Sequence, residues 1–224
     1  MLFPSFTFSG SEYRPASGLV RGFGLGSVLL ALLAVAIGTW PASATVGAEY
    51  AIVFVHVPAA WLSLLLYAAA AGCAALMLSQ PGRGPANALQ AIAPVGVVAS
   101  LVALWSGLAG QRALGVWWGW DARLVCELVL LVLYAGAIAL RTAIAEPARA
   151  DRAAAVLVLV GALNIPIIYL SVNWWHTLHE RAAASVGRSS FSIAAMVVMT
   201  LAFCMVAGAV VMARLQSGAP KEQQ

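Results

Sequence analysis

Charge is what this sequence has least of: Asp, Glu, Lys and Arg make up 9% of its 224 residues, while 62% are hydrophobic. A soluble domain carries about 25% charged residues. This chain therefore has too little polar surface to face water all round, and its solvent is lipid. Cysteine is scarce too, limited to Cys73, Cys126 and Cys204, each inside an apolar run. With no CxxC pair and no CxxCH site, a thioether-linked cytochrome and a dithiol redox motif are both excluded. Free thiols in such runs pack as small apolar side chains. A glycine-rich phosphate loop of the Walker type is also missing, so the chain is not expected to hydrolyse ATP itself. The net charge of +4 sits in short connections between apolar runs. It therefore speaks of membrane topology and not of nucleic acid.

What is present is a series of six apolar runs, at about 19–39, 52–78, 88–109, 124–140, 153–172 and 191–213. A spanning helix needs roughly 20 mostly apolar residues to cross about 30 Å of hydrocarbon. The expected fold is thus an all-α polytopic membrane protein, with six transmembrane helices in a single membrane domain covering 1–224. The first run is too long, and too far from Met1, for a typical secretory signal, and is read as a retained span. Turn-rich breaks at Gln80-Pro81-Gly82-Arg83-Gly84-Pro85 and Glu146-Pro147 separate neighbouring runs. Six spans place both termini on one side, with Arg14, Arg21, Arg83, Arg141, Arg149, Arg152, Arg214 and Lys221. The other side carries Arg112, Arg123, Arg181 and Arg188. The positive-inside rule puts the richer side, and with it both termini, in the cytoplasm. Loops at about 40–51, 110–123 and 173–190 then face outward.

Almost every unusual residue falls on those outward segments. The second outward loop reads Gly115-Val116-Trp117-Trp118-Gly119-Trp120-Asp121-Ala122-Arg123. An aromatic belt at the membrane boundary accounts for isolated tryptophans such as Trp40 and Trp61. The cluster of Trp117, Trp118 and Trp120 is equally well a ligand platform, because Gly115 and Gly119 would thin the loop for a flat ligand. His56, His176 and His179 are all expected on this same side. Each taken singly reads as a hydrogen-bonded interfacial histidine, yet an ionisable residue at membrane depth is a functional candidate. Two imidazoles flanking an aromatic platform suit a haem iron; the same pair also suits Zn or Cu, which would leave the tryptophans unexplained. Glu127 lies four residues after Arg123, a spacing that predicts an ion pair on one helix face. Alternatively Arg123, like Arg112, Arg181 and Arg188, is a partner for a ligand carboxylate such as a propionate. Asn164, Pro166 and Tyr169, together with Pro58 and Pro94, read as kink and packing features.

These residues resemble a known family. Trp117-Trp118-Gly119-Trp120-Asp121-Ala122-Arg123-Leu124, followed by Glu127-Leu128-Val129-Leu130-Leu131, is similar to the tryptophan-rich WWD signature of cytochrome c maturation proteins. His56-Val57-Pro58-Ala59-Ala60, Asn164-Ile165-Pro166-Ile167-Ile168 and Ser171-Val172-Asn173-Trp174-Trp175-His176-Thr177-Leu178-His179 resemble the neighbouring motifs of the haem exporter protein C (CcmC) family. The order and spacing match from about Tyr50 to His179. The resemblance implies a haem-binding protein of the bacterial inner membrane. It would hold haem b at the periplasmic face and present it for covalent attachment to the haem chaperone CcmE. It would do so beside the ABC ATPase CcmA, its membrane partner CcmB and the small subunit CcmD. The axial ligands implied are His56 and His179, with His176 as a substitute; Trp117, Trp118, Trp120, Asp121 and Arg123 make up the rest of the haem site. The chain departs from the family pattern at Leu114 or Val116, where a further tryptophan is common, and at Asn173 and Glu180. Two alternatives remain: a haem-transporting permease subunit, and a synthetase subunit that attaches haem to apocytochrome c. No hydrolytic or redox active site is evident, so any promotion of haem ligation would act by positioning.

Overall fold

The computed structural model of the protein describes residues 18–39, 48–80, 82–113, 115–116, 121–174 and 190–218, and all the regular structure among them is α-helical. The helices are α1 (Gly18–Thr39), α2 (Ala48–Ser79), α3 (Gly84–Ala113), α4 (Ala122–Ala143), α5 (Pro147–Gly161), α6 (Asn164–Trp174) and α7 (Ser190–Gly218). Five stretches are long and apolar enough to cross a membrane: Ile52–Ser79, Gly84–Arg112, Ala122–Ala143, Pro147–Ser171 and Ile193–Ser217. The shortest has 22 residues, which at 1.5 Å per residue reaches about 33 Å. Beside these five, α1 carries a shorter apolar stretch, Val20–Leu30, where the sixth expected span lies. It runs antiparallel to α7, with Gly26 against Met205 and Phe23 beside Gly208.

The fifth span is two helices because of one proline. Pro166 has no N–H, and its ring would collide with the carbonyl of the residue four before it. That residue is Ala162, where the helix breaks into a turn at Ala162 and Leu163. The amides there bond across shorter loops, Ala162 N to Leu159 O at 3.2 Å and Leu163 N to Val160 O at 3.3 Å. Asn164 Nδ2 then donates to the Cys126 carbonyl at 2.9 Å, fastening the break to α4. Pro58 and Pro94, by contrast, lie within the continuous helices α2 and α3.

Without water to drive apolar faces together, membrane helices associate through close packing of small side chains and a few hydrogen bonds. The buried faces here are rich in alanine, with Ala59, Ala70 and Ala74 on α2 and Ala91, Ala93, Ala99 and Ala103 on α3. Tyr67 and Tyr134 meet edge to face at the centre, ring centroids 5.0 Å apart and planes at 74°. Tyr134 Oη donates to the Ser63 carbonyl at 2.8 Å, tying α4 to α2. At the end of the bundle where α2 finishes, Arg141 joins three helices: it pairs with Asp151 at 2.8 Å and donates to the Ala86 carbonyl at 3.2 Å. The opposite end holds His56, the close of α3, the start of α4 and the close of α6.

Candidate functional site

The His56 end is assembled by three helices. His56 lies two turns into α2, and its ring is turned toward α3. Nδ1 is 2.9 Å from the Ala103 carbonyl and 3.2 Å from Ser106 Oγ. A carbonyl can only accept, so the Nδ1 proton points at Ala103. Ser106 supports the same assignment: its hydroxyl donates to the Val102 carbonyl at 2.6 Å and so presents a lone pair to His56. Neutral imidazole with its proton on Nδ1 carries its lone pair on Nε2, the nitrogen through which a histidine binds a metal.

Gly107 makes this orientation possible. A methyl group there would come within 2.9 Å of His56 Cε1 and 2.9 Å of Leu124 Cδ1. His56, Gly107 and Leu124 therefore meet at one point where α2, α3 and α4 converge. Sequence reasoning missed Gly107, Ser106 and Ala103. A glycine one residue after a serine in an apolar run carries no visible signal until its neighbour 51 positions away is known.

The residues around the tryptophan signature also have structural duties. Gly115 has φ of +79°, a left-handed conformation that glycine adopts without strain. Its N–H bonds to the Arg112 carbonyl and that of Val116 to the Gln111 carbonyl, each at 2.9 Å. This paired closure is the usual glycine stop of a helix, so Gly115 ends α3. Asp121 begins α4: it has extended φ and ψ, and its Oδ1 accepts from the Arg123 amide at 2.9 Å. That N-cap satisfies one of the open amides of the first turn and places negative charge at the positive end of the helix dipole. Asp121 is almost fully buried, at 4% exposure.

The expected ion pair between Arg123 and Glu127 does not form. The ion pair that α4 does make is that of Arg141 with Asp151, at its other end. Arg123 is half-buried in the first turn, where Asp121 is the acidic group acting on it. Glu127 is one turn deeper on the buried face shared by Leu124, Leu130 and Tyr134. Its carboxyl turns inward to the hydroxyls of Ser63 and Ser100. Among the expected site residues, His56, Asp121 and Arg123 are thus brought to one end of the bundle. Trp117, Trp118, Trp120, His176 and His179 lie outside the described residues, as does Leu114. Helix α6 ends at Trp174, two residues before His176. Among the described residues no group of three His, Cys, Asp or Glu side chains converges.

A family model described as "Heme exporter protein C" (CcmC) matches residues 6–223, nearly the whole chain. The chain belongs to the CcmC family. It is 46% identical over 144 residues to a protein of Escherichia coli (strain K12) named "Heme exporter protein C", covering 64% of this chain and 59% of that protein. A protein of the same name from Bradyrhizobium diazoefficiens is 43% identical over 164 residues, covering 70% and 62%. A "putative cytochrome c biosynthesis ccmC-like mitochondrial protein" of Marchantia polymorpha is 35% identical over 203 residues, covering 88% and 84%. The matched stretch thus spans about three-fifths of the bacterial relatives' length. In this CcmC-family chain, His56 held against α3 and the capped start of α4 lie at one end of the helical bundle.

Proposed function

We propose that this protein holds haem b at the periplasmic face of the bacterial inner membrane and presents it for covalent attachment to the haem chaperone CcmE. In this reading both termini are cytoplasmic, and CcmA, CcmB and CcmD are its membrane partners. The observation that carries the reading is the seat of His56, whose Nδ1 lies 2.9 Å from the Ala103 carbonyl and 3.2 Å from Ser106 Oγ where α2, α3 and α4 converge. An imidazole held this way by its other nitrogen is the usual form of a metal-ligating histidine. The donor chemistry therefore fits haem iron.

The chain's residues divide the work. His56 and His179 would hold the iron, with His176 as a substitute, and Trp117, Trp118 and Trp120 would offer aromatic surface to the apolar macrocycle, where burial is worth roughly 25 cal/mol per Å2. Asp121 fixes the start of α4, and Arg123 in its first turn would pair with a propionate. Bound haem supplies the iron and the vinyl edge; the protein supplies orientation, which lowers the barrier to attachment by proximity. Neither hydrolysis nor a path across the membrane is required. The test is the absorption spectrum of the purified full chain, oxidised and reduced, beside His56→Ala and His179→Ala. Most of the haem is expected to be lost from each variant, with the bis-histidine spectrum altered in what remains. Unchanged haem content and spectrum in both variants would remove the ligand assignment.

A further inference from the structure

Glu127 is a carboxyl group at membrane depth, buried to 6% exposure. Among the described residues no basic side chain is paired with it, and Arg123, one turn nearer the bundle end, forms no ion pair with it. Its neighbours are the hydroxyls of Ser63 on α2 and Ser100 on α3. Both serines are fully buried. Ser63 Oγ donates to the Ala60 carbonyl at 2.8 Å, whereas Glu127 Oε1 and Ser100 Oγ have no hydrogen-bond partner among the described residues. Together with the Ser63 hydroxyl they make a polar layer inside the apolar bundle. A buried polar group without a hydrogen bond costs free energy, so an apolar side chain of similar size is not expected to lower stability. Stability therefore gives no reason to keep a carboxyl here.

Position gives the reason. Ser63 lies seven residues after His56 on α2, and Ser100 six residues before Ser106 on α3, in each case about 10 Å along the helix. Glu127 lies three residues after Leu124, the side chain that meets Gly107 beside the His56 ring. The three groups thus form a layer directly beneath the His56 site, with one member from each helix that builds it. We propose that Glu127, with Ser63 and Ser100 beside it on α2 and α3, is a positioning residue that sets α4 against His56. The inference rests on the haem-holding function proposed above.

The experiment compares the full chain with Glu127→Leu, Glu127→Gln and the double variant Ser63→Ala/Ser100→Ala. Haem per protein, oxidised and reduced spectra and thermal melting are measured on each. Glu127→Leu and the double variant are expected to retain haem about tenfold more weakly, as for loss of outer-shell support, with shifted absorption bands. Their melting should be no lower than that of the wild type. Glu127→Gln keeps a donor and an acceptor and is expected to stay near wild type. Should Glu127→Leu fail to accumulate, the double variant decides alone. Wild-type haem content and spectra in the double variant would overturn the inference, as would damage in Glu127→Gln equal to that in Glu127→Leu. Both of those results leave the haem-holding function intact, whereas a wild-type protein that takes up no haem overturns both.

Discussion

Replacing Gly107 by alanine tests how His56 is oriented without touching the imidazole. The new methyl would sit 2.9 Å from His56 Cε1, 2.9 Å from Leu124 Cδ1 and 3.3 Å from His56 Nδ1, against 3.4–4 Å for ordinary contact. Leu124 Cδ1 can rotate away, being the end of a flexible side chain. The His56 ring cannot do so freely, because Nδ1 is held at 2.9 Å by Ala103 and 3.2 Å by Ser106. Relief by about half an ångström would stretch or bend one of those bonds. Overpacking of this kind costs about 1–3 kcal/mol, partly offset by the 0.5–1 kcal/mol that alanine gains over glycine within a helix. Weakened support of a metal-binding imidazole typically lowers metal affinity by about 10- to 100-fold. The matched control is Gly110→Ala, one turn along α3, where the nearest neighbour is Ile52 Cγ2 at 3.7 Å. It gains the same helix propensity with no overlap, and is expected to melt at or above wild type with normal haem content. Haem titration into the two purified variants should separate them by about tenfold or more. Equal affinity and identical spectra would refute the claim that Gly107 sets the His56 ring.

The N-cap role of Asp121 predicts that Asp121→Ala loses about 0.5–2 kcal/mol, whereas Asp121→Asn, also a good cap, keeps most of the stability; thermal melting of haem-free protein checks this. If haem binding falls in Asp121→Asn while melting does not, the carboxylate acts on the ligand as well as on the helix. Asn164→Leu strips the Cys126 carbonyl of its donor at the break in the fifth span and should destabilise by about 1–3 kcal/mol, seen as a lower melting temperature with His56 chemistry unchanged. Arg141→Lys keeps the charge facing Asp151 but gives up the planar fork that also reaches Ala86. Because the pair is partly exposed, the expected loss is below about 1 kcal/mol and should shrink further at high salt.

The fold was legible because its signal is local and repeated. Length and apolarity of each run suffice to identify a span when lipid is the solvent. The division of the fifth span was less legible: Pro58, Pro94 and Pro166 all read as kink features, and of these three only Pro166 lies beside a helix break. Where the sequence was misleading, spacing on one helix had been taken for contact. Arg123 and Glu127 are neighbours by periodicity, yet Glu127 lies on the buried face and turns toward Ser63 and Ser100, which belong to other helices. Gly115 suggested a thin approach for a flat ligand, while its backbone shows a helix stop at φ of +79°. Gly107 and Ala103 gave no signal at all. Their role exists only through a hydrogen bond spanning 47 positions and a close approach between α2 and α3, and neither residue type nor period encodes such a contact.

Two helix ends flank the tryptophan signature. Its acidic and glycine members, Asp121 and Gly115, are accounted for by the two helix ends they make, one starting α4 and one closing α3. His56 is held at the same end by α3 itself, through Ala103 and Ser106. Helix α3 therefore carries both the glycine stop at Gly115 and the contacts that orient the imidazole, so any tilt of α3 would move the two together.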